Sequence, residues 1–231
     1  MVIPNTLFLH QEIMLLALRD EKGTIESGSM YQYAIGGAIV AELLLNERIA
    51  LEKYRKKELV TLINSKSLGN NLLDQCLAKI AAAKRRFAIQ TWVSKFAGIK
   101  NLKHVVATEL CKQGILKTDE DKVLMIFTRK IYPEINPEPE KELIRRLQQA
   151  IFTDTSDIDT RTVVILSLAH RAGLLKANFN KKELKDRRDR IEKIIKGEIA
   201  GKATKQAIEA MQAAIMVACI MPAITTATIS H

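Results

Sequence analysis

Lys100 and Lys103 stand three residues apart in GIKNLKHVV, a spacing that lets two ammonium groups converge on one phosphate. Glu42 is the other sharp chemical feature, the only charge between Met30 and Leu45 in a stretch that is otherwise apolar. A lone buried carboxylate is costly, so it needs a partner or a raised pKa. Arg48, Arg19 or a helix N-terminus would serve, and no second carboxylate stands out as an acid–base mate. The four histidines, His10, His104, His170 and His231, lack metal-ligand spacing, and His170 in LSLAHRAG reads as a satisfied interior residue. The chain has no GxSxG, HExxH, Walker loop or GxGxxG. The reading is therefore no catalytic residue, no metal, no cofactor, and a protein that is not an enzyme.

Charge points to an anionic partner instead. Net charge is +10 with a pI near 9.5, which suits a nucleic acid or an anionic membrane surface. KKELKDRRDRIEKIIK (181–196) carries eight basic residues, but its acids precede basic residues by four: Glu183–Arg187, Asp186–Arg190, Asp189–Lys193 and Glu192–Lys196. Such pairs stabilise a solvated helix face. Arg55-Lys56-Lys57 and Lys84-Arg85-Arg86 have fewer local acids and are better placed to meet an anionic surface. Three scattered cysteines (Cys76, Cys111, Cys219) read as small buried residues in a reducing compartment, and MVIPNTLFLHQE does not read as a signal peptide.

The elements that must position these residues are nearly all helical. With 47% hydrophobic but only 5% aromatic residues in 231, the composition favours Leu/Ile/Ala helix packing. Helices are expected at about 9–20, 30–46, 70–82, 87–97, 101–113, 139–152, 159–174, 181–196 and 203–220. The 30–46 segment is greasy all round and too closely flanked by charge to span a bilayer, so it is expected at the centre of a bundle. Gly36 and Gly37 inside it imply close helix–helix approach. A β-hairpin is expected at about 115–132, two apolar runs flanking the polar turn TDED. The fold class is mostly α: one helical domain over 1–231, a buried central bundle ringed by amphipathic helices, plus that hairpin.

In order and spacing, LFLHQEIMLLALRDEKGTI (7–25), AIGGAIVAELLLNERI (34–49), QTWVSKFAGIKNLKHVVATELCKQGIL (90–116) and DTRTVVILSLAHRAGLL (159–175) resemble the Golgi phosphoprotein 3-like family. The resemblance implies a peripheral membrane protein of the cytoplasm. Eukaryotic members bind phosphatidylinositol 4-phosphate and act as adaptors that grip the cytoplasmic tails of glycosyltransferases. Lys100 and Lys103 match the family's two basic residues before the hairpin. The family's exposed tryptophan has no counterpart in Ile25-Glu26-Ser27-Gly28-Ser29, and Gly36 stands where the eukaryotic pattern has an arginine. The chain thus resembles a member outside the Golgi branch, of bacterial type.

The function expected is an adaptor that binds an anionic, phosphoinositide-type lipid through Lys100 and Lys103, with a protein client as second partner. The hairpin residues Leu124, Met125, Ile126, Phe127, Ile131 and Tyr132 are candidates for membrane insertion or homo-oligomer contact; Leu124, Ile126, Phe127 and Tyr132 carry that expectation most directly. AAIMVACIMPAITTATI (213–229), interrupted by Pro222, reads as a core helix and docked tail rather than an anchor. One alternative is a soluble protein-interaction module of the same fold without lipid affinity. Another is a winged-helix-like nucleic-acid binder, disfavoured because no helix shows a base-reading polar face and TDED would repel phosphate.

Overall fold

Three helices that are buried over most of their length form the centre of the molecule. The computed structural model describes residues 7–19, 23–25, 30–55, 57–123 and 127–199. Helix α1 (Leu9–Ala17) is buried at every position. Helix α2 (Tyr31–Leu45) is buried from Ala34 through Leu43, and α7 (Thr160–Arg171) from Thr162 through Ala169. These three pack on one another, and the all-round hydrophobicity of α2 is thereby explained: it has neighbours on every side, among them α3 (Asn71–Ala81) and α4 (Ile89–Ala97). Around this centre α5 (Leu102–Lys112), α6 (Glu138–Phe152) and α10 (Arg188–Ile195) each turn an apolar stripe inward, giving one contiguous core. Two short helices, α8 (Leu175–Asn178) and α9 (Lys181–Asp186), link α7 to α10.

Local chemistry sets the helix starts. Asn70, Asp159 and Asn180 accept backbone N–H bonds at the N-termini of α3, α7 and α9. Gln11 reaches back to the Phe8 N–H at the start of α1. On α2, Gly36 is required by sterics: a Cβ there would lie 2.6 Å from the Val93 carbonyl oxygen and 3.0 Å from the Ala97 nitrogen. Helices α2 and α4 therefore touch backbone to backbone, as the glycine pair implied.

Among the described residues the strands form three two-stranded antiparallel sheets: β1 (Leu18–Arg19) with β2 (Thr24–Ile25), β3 (Ile49–Tyr54) with β4 (Lys57–Leu62), and β5 (Asp119–Val123) with β6 (Phe127–Ile131). The hairpin expected at 115–132 is present, with a different register. TDED is not its turn: Asp119–Asp121 pair across to Ile131, Lys130 and Arg129 within the ladder. The β3–β4 hairpin, including Arg55 with positive φ, was not anticipated, because charged residues dominate its middle. The stripe at 181–196 is likewise not one helix. It breaks at Arg187, which turns to Asp154 and the Phe152 carbonyl, while Arg190 bonds the Ala150 and Thr155 carbonyls. Arg187 and Arg190 are thus tied to the α6–α7 connection rather than paired along a solvated helix. The expected helix at 203–220, the tail at 213–229 and Cys219 lie outside the described residues.

Glu42 finds its partner at a helix N-terminus and at a cation 119 residues away. Its Oε2 accepts the Leu9 N–H at 2.7 Å, opening α1, and its Oε1 accepts from Arg161 at 2.9 Å and from Asn46 at 3.0 Å. Arg48 instead bonds the carbonyls of Lys66 and Asn46. Arg161 also donates to the Leu7 carbonyl at 2.7 Å and lies 3.7 Å from Glu12, which Arg146 pairs in turn. Burial pushes the Glu12 carboxyl up, against the pull of Arg146 and Arg161. A second polar knot joins α1, α3 and α5: His10, Gln11 and Asn70 all bond Glu109 Oε2 at 3.0–3.1 Å. The Cys76 thiol is buried and pushed up to about 12, chiefly by that burial. Cys76 is expected to resist thiol reagents in the native protein and to react once urea unfolds it, as read by mass spectrometry of the labelled peptides.

Candidate functional site

Helix α5 opens with the wrong charges for a helix N-terminus. Its partial positive end is preceded by Lys100 and carries Lys103 and His104 in the first turn, with no acidic residue there. Asn101, the N-cap, sits at φ 58° and gives no side-chain cap. An anion brought from outside would answer both defects. Lys100 is not on the helix itself: it belongs to the turn closed by Leu102 N–H to the Ile99 carbonyl at 3.1 Å. The two lysines are therefore related by a turn rather than by one helical face. Lys100 is exposed, and Lys103 is half-buried.

The base of the β5–β6 hairpin completes the patch. The Lys103 ammonium lies 5.8 Å from the centre of the Tyr132 ring, a cation–π contact. Burial and the nearby Arg129 hold the Lys103 pKa below the ordinary lysine value. The Arg129 guanidinium is oriented by Asp121, which accepts from its Nε at 3.0 Å and Nη2 at 2.6 Å. Burial, Lys103 and Lys130 similarly depress the His104 pKa. The Tyr132 hydroxyl bonds His104 Nδ1 at 2.7 Å. Lys103 and Lys130 thus disfavour a proton on His104, and Arg129, itself paired with Asp121, disfavours one on Lys103. Sequence reasoning missed Arg129, Lys130 and His104; the signal was TRKIY in a strand whose ladder returns it beside α5.

Tyr132 corrects an expectation. It is 2% exposed, clasped by His104 and Lys103, and its backbone N–H bonds the Gly23 carbonyl at 3.0 Å. A Cβ on Gly23, at φ 54°, would meet the Tyr132 carbonyl carbon at 2.3 Å, so the Gly23 backbone rests on the hairpin base. Tyr132 is a structural post of the site, not a surface for insertion or self-association. Leu124, Met125 and Ile126 lie outside the described residues, as do Glu26–Ser29 of the missing tryptophan region; the backbone of Phe127 begins β6. His170, expected inside, is half-buried with its Nε2 3.5 Å from Glu192.

Protonation links this site to pH. The depressed His104 pKa means that charging it costs the free protein stability: the unfolded state binds the proton more readily, so stability falls as pH drops from about 6.5 through the folded value. A bound anion reverses the balance, because it favours the imidazolium. Affinity for sulfate, an anion whose charge does not change over this range, is therefore expected to rise between about pH 7.5 and 5.5 at this patch, and His104→Gln is expected to flatten that profile, as read by amide NMR titration.

Among the described residues, no helix is long and apolar enough to cross a membrane, and no cluster of His, Cys, Asp and Glu is arranged to hold a metal ion. The family model for Golgi phosphoprotein 3 matches residues 9–211, nearly all of the chain.

Proposed function

The chain belongs to the Golgi phosphoprotein 3 family, and from that premise we propose that it is a peripheral membrane adaptor that docks on anionic lipid headgroups through Lys100 and Lys103. The observation that carries this reading is the inverted start of α5: uncapped, without acids, and bearing cations that crowd one another beside Arg129 and Lys130. Each lysine close to an anionic leaflet contributes about 1 kcal/mol, so the patch alone gives weak, salt-sensitive attachment. Apolar side chains of Leu124, Ile126 and Phe127 inserting from the hairpin would strengthen it. The protein then works at the cytoplasmic face of a membrane as a single domain over 1–231, with a protein client as its second partner.

The headgroup grip differs from the eukaryotic pattern. Where that pattern places an arginine, Gly36 is sealed against α4, so a guanidinium cannot share the phosphate with the lysines. Lysine is a point charge without arginine's bidentate fork. The reading is therefore charge-driven recognition of monoester phosphate or other anionic headgroups, with less geometric discrimination among them.

Amide NMR with a soluble inositol phosphate headgroup tests the placement. Shifts confined to 100–105 and 129–132, lost in Lys100→Glu/Lys103→Glu, are expected. Shifts elsewhere, or none alongside absent vesicle binding, would overturn the reading and leave a soluble interaction module of the same fold.

A further inference from the structure

A second basic feature shares no residue with the α5 site. Lys79 near the end of α3, Lys84 and Arg85 on the α3–α4 connection, and Lys95 on α4 surround a half-open cavity of about 680 Å³. Its floor is Phe87 and Trp92, set edge to face with ring centres 5.8 Å apart. Lys95 lies over both rings, its ammonium 4.4 Å from the Phe87 centre and 5.0 Å from the Trp92 centre, and Arg85 covers Phe87 at 5.1 Å. Neighbouring Arg86 is committed elsewhere, paired with Glu52 of β3. No acidic residue lines the cavity among the described residues. The indole N–H of Trp92, buried with the ring at 2% exposure, has no acceptor.

The shape and the charge placement select the occupant. A flat bilayer surface meets cations spread over a plane, whereas these stand around a concave aromatic floor of the size that holds a small ligand or an anchoring side chain. A lipid drawn into the cavity brings its charge at one end. The cations here come from three successive segments around the floor, so the complementary ligand carries negative charge on more than one side of an apolar anchor. We propose that this cavity docks an acidic peptide segment of a partner protein, with an aromatic side chain seated on the half-exposed Phe87, which Trp92 backs, between flanking carboxylates. It goes beyond the adaptor reading and stands on the cavity's own charge and shape. On binding, the carboxylates pair with Lys84, Arg85 and Lys95, and the anchor ring takes over part of the stacking that Lys95 provides in the free protein.

Trp92 is the only tryptophan of the chain, so its emission reports on the cavity floor directly. The probe is a capped pentapeptide with phenylalanine between two pairs of acidic residues. Controls are the same peptide with glycine for phenylalanine, its lysine-flanked analogue, and phosphatidylcholine vesicles with and without an anionic lipid. A saturable change with the acidic aromatic peptide is expected, weakened about tenfold or more in Lys84→Glu/Arg85→Glu and steeply reduced by salt. Circular dichroism establishes that the variants are folded. The Lys100→Glu/Lys103→Glu protein is expected to bind the peptide like the wild type while losing vesicles, which separates this proposal from the lipid site. No saturable change, an equal response to the lysine-flanked peptide, or a response to vesicles alone would overturn it.

Discussion

Glu42→Leu is expected to destabilise the protein by about 3–5 kcal/mol, the cost of breaking a buried ion pair from one side. The carboxylate is 1% exposed and serves three donors at once: the first N–H of α1, the Arg161 guanidinium and the Asn46 amide. Deleting it takes from Arg161, whose side chain is only 26% exposed, its nearest carboxylate, leaving it the Leu7 carbonyl and Glu12 at 3.7 Å, and leaves the first N–H of α1 without its acceptor. Because the cost is chiefly that of uncompensated partners, Glu42→Leu/Arg161→Leu should recover part of the loss, and Glu42→Gln should sit between. Equilibrium unfolding in urea checks the series. An effect below about 1 kcal/mol for Glu42→Leu would mean that the network is ornamental to the fold.

Gly36→Arg comes next. At an ordinary helix position, replacing glycine gains about 1 kcal/mol of helix propensity. Here the first carbon of any side chain runs into the Val93 carbonyl oxygen and the backbone of Ala97. Gly36→Ala is therefore expected to lose about 1–3 kcal/mol despite its better propensity. Gly36→Arg is expected to expel α4 from α2 and to leave little soluble folded protein. The family-type arginine would thus not rebuild a phosphate clamp in this background. Thermal unfolding of both variants checks this. A folded Gly36→Arg protein with raised headgroup affinity would show that α4 can yield, and would remove the steric argument.

Much of this architecture is legible in the sequence because it rests on local pattern. The apolar run of α2, interrupted by Glu42 alone between Ala34 and Leu45, the caps at Asn70 and Asp159, and the glycine pair calling for close approach all follow from residue type and spacing. What was hidden depends on long-range partners. Nothing near Glu42 in the chain announces Arg161, since the pairing spans two helices of the core. TDED has the composition of a turn, yet cross-strand pairing of Asp121 with Arg129 draws it into the ladder. The 181–196 run has ideal helical charge spacing, but backbone carbonyls at the α6–α7 connection outbid those local pairs for Arg187 and Arg190. At the candidate site the two lysines were visible by spacing. Their neighbours were not, because only the hairpin register brings Arg129 and Lys130 beside α5.

The central claim, that Lys100 and Lys103 mark the membrane-facing site, is tested most directly by co-sedimentation with anionic and neutral vesicles at low and physiological salt. Wild type should be retained on anionic vesicles alone, more strongly at low salt, and Lys100→Glu/Lys103→Glu should lose about a hundredfold in apparent affinity. Lys84→Glu/Arg85→Glu should be retained like the wild type. Undiminished binding by the Lys100→Glu/Lys103→Glu protein, or loss in Lys84→Glu/Arg85→Glu instead, would contradict the assignment.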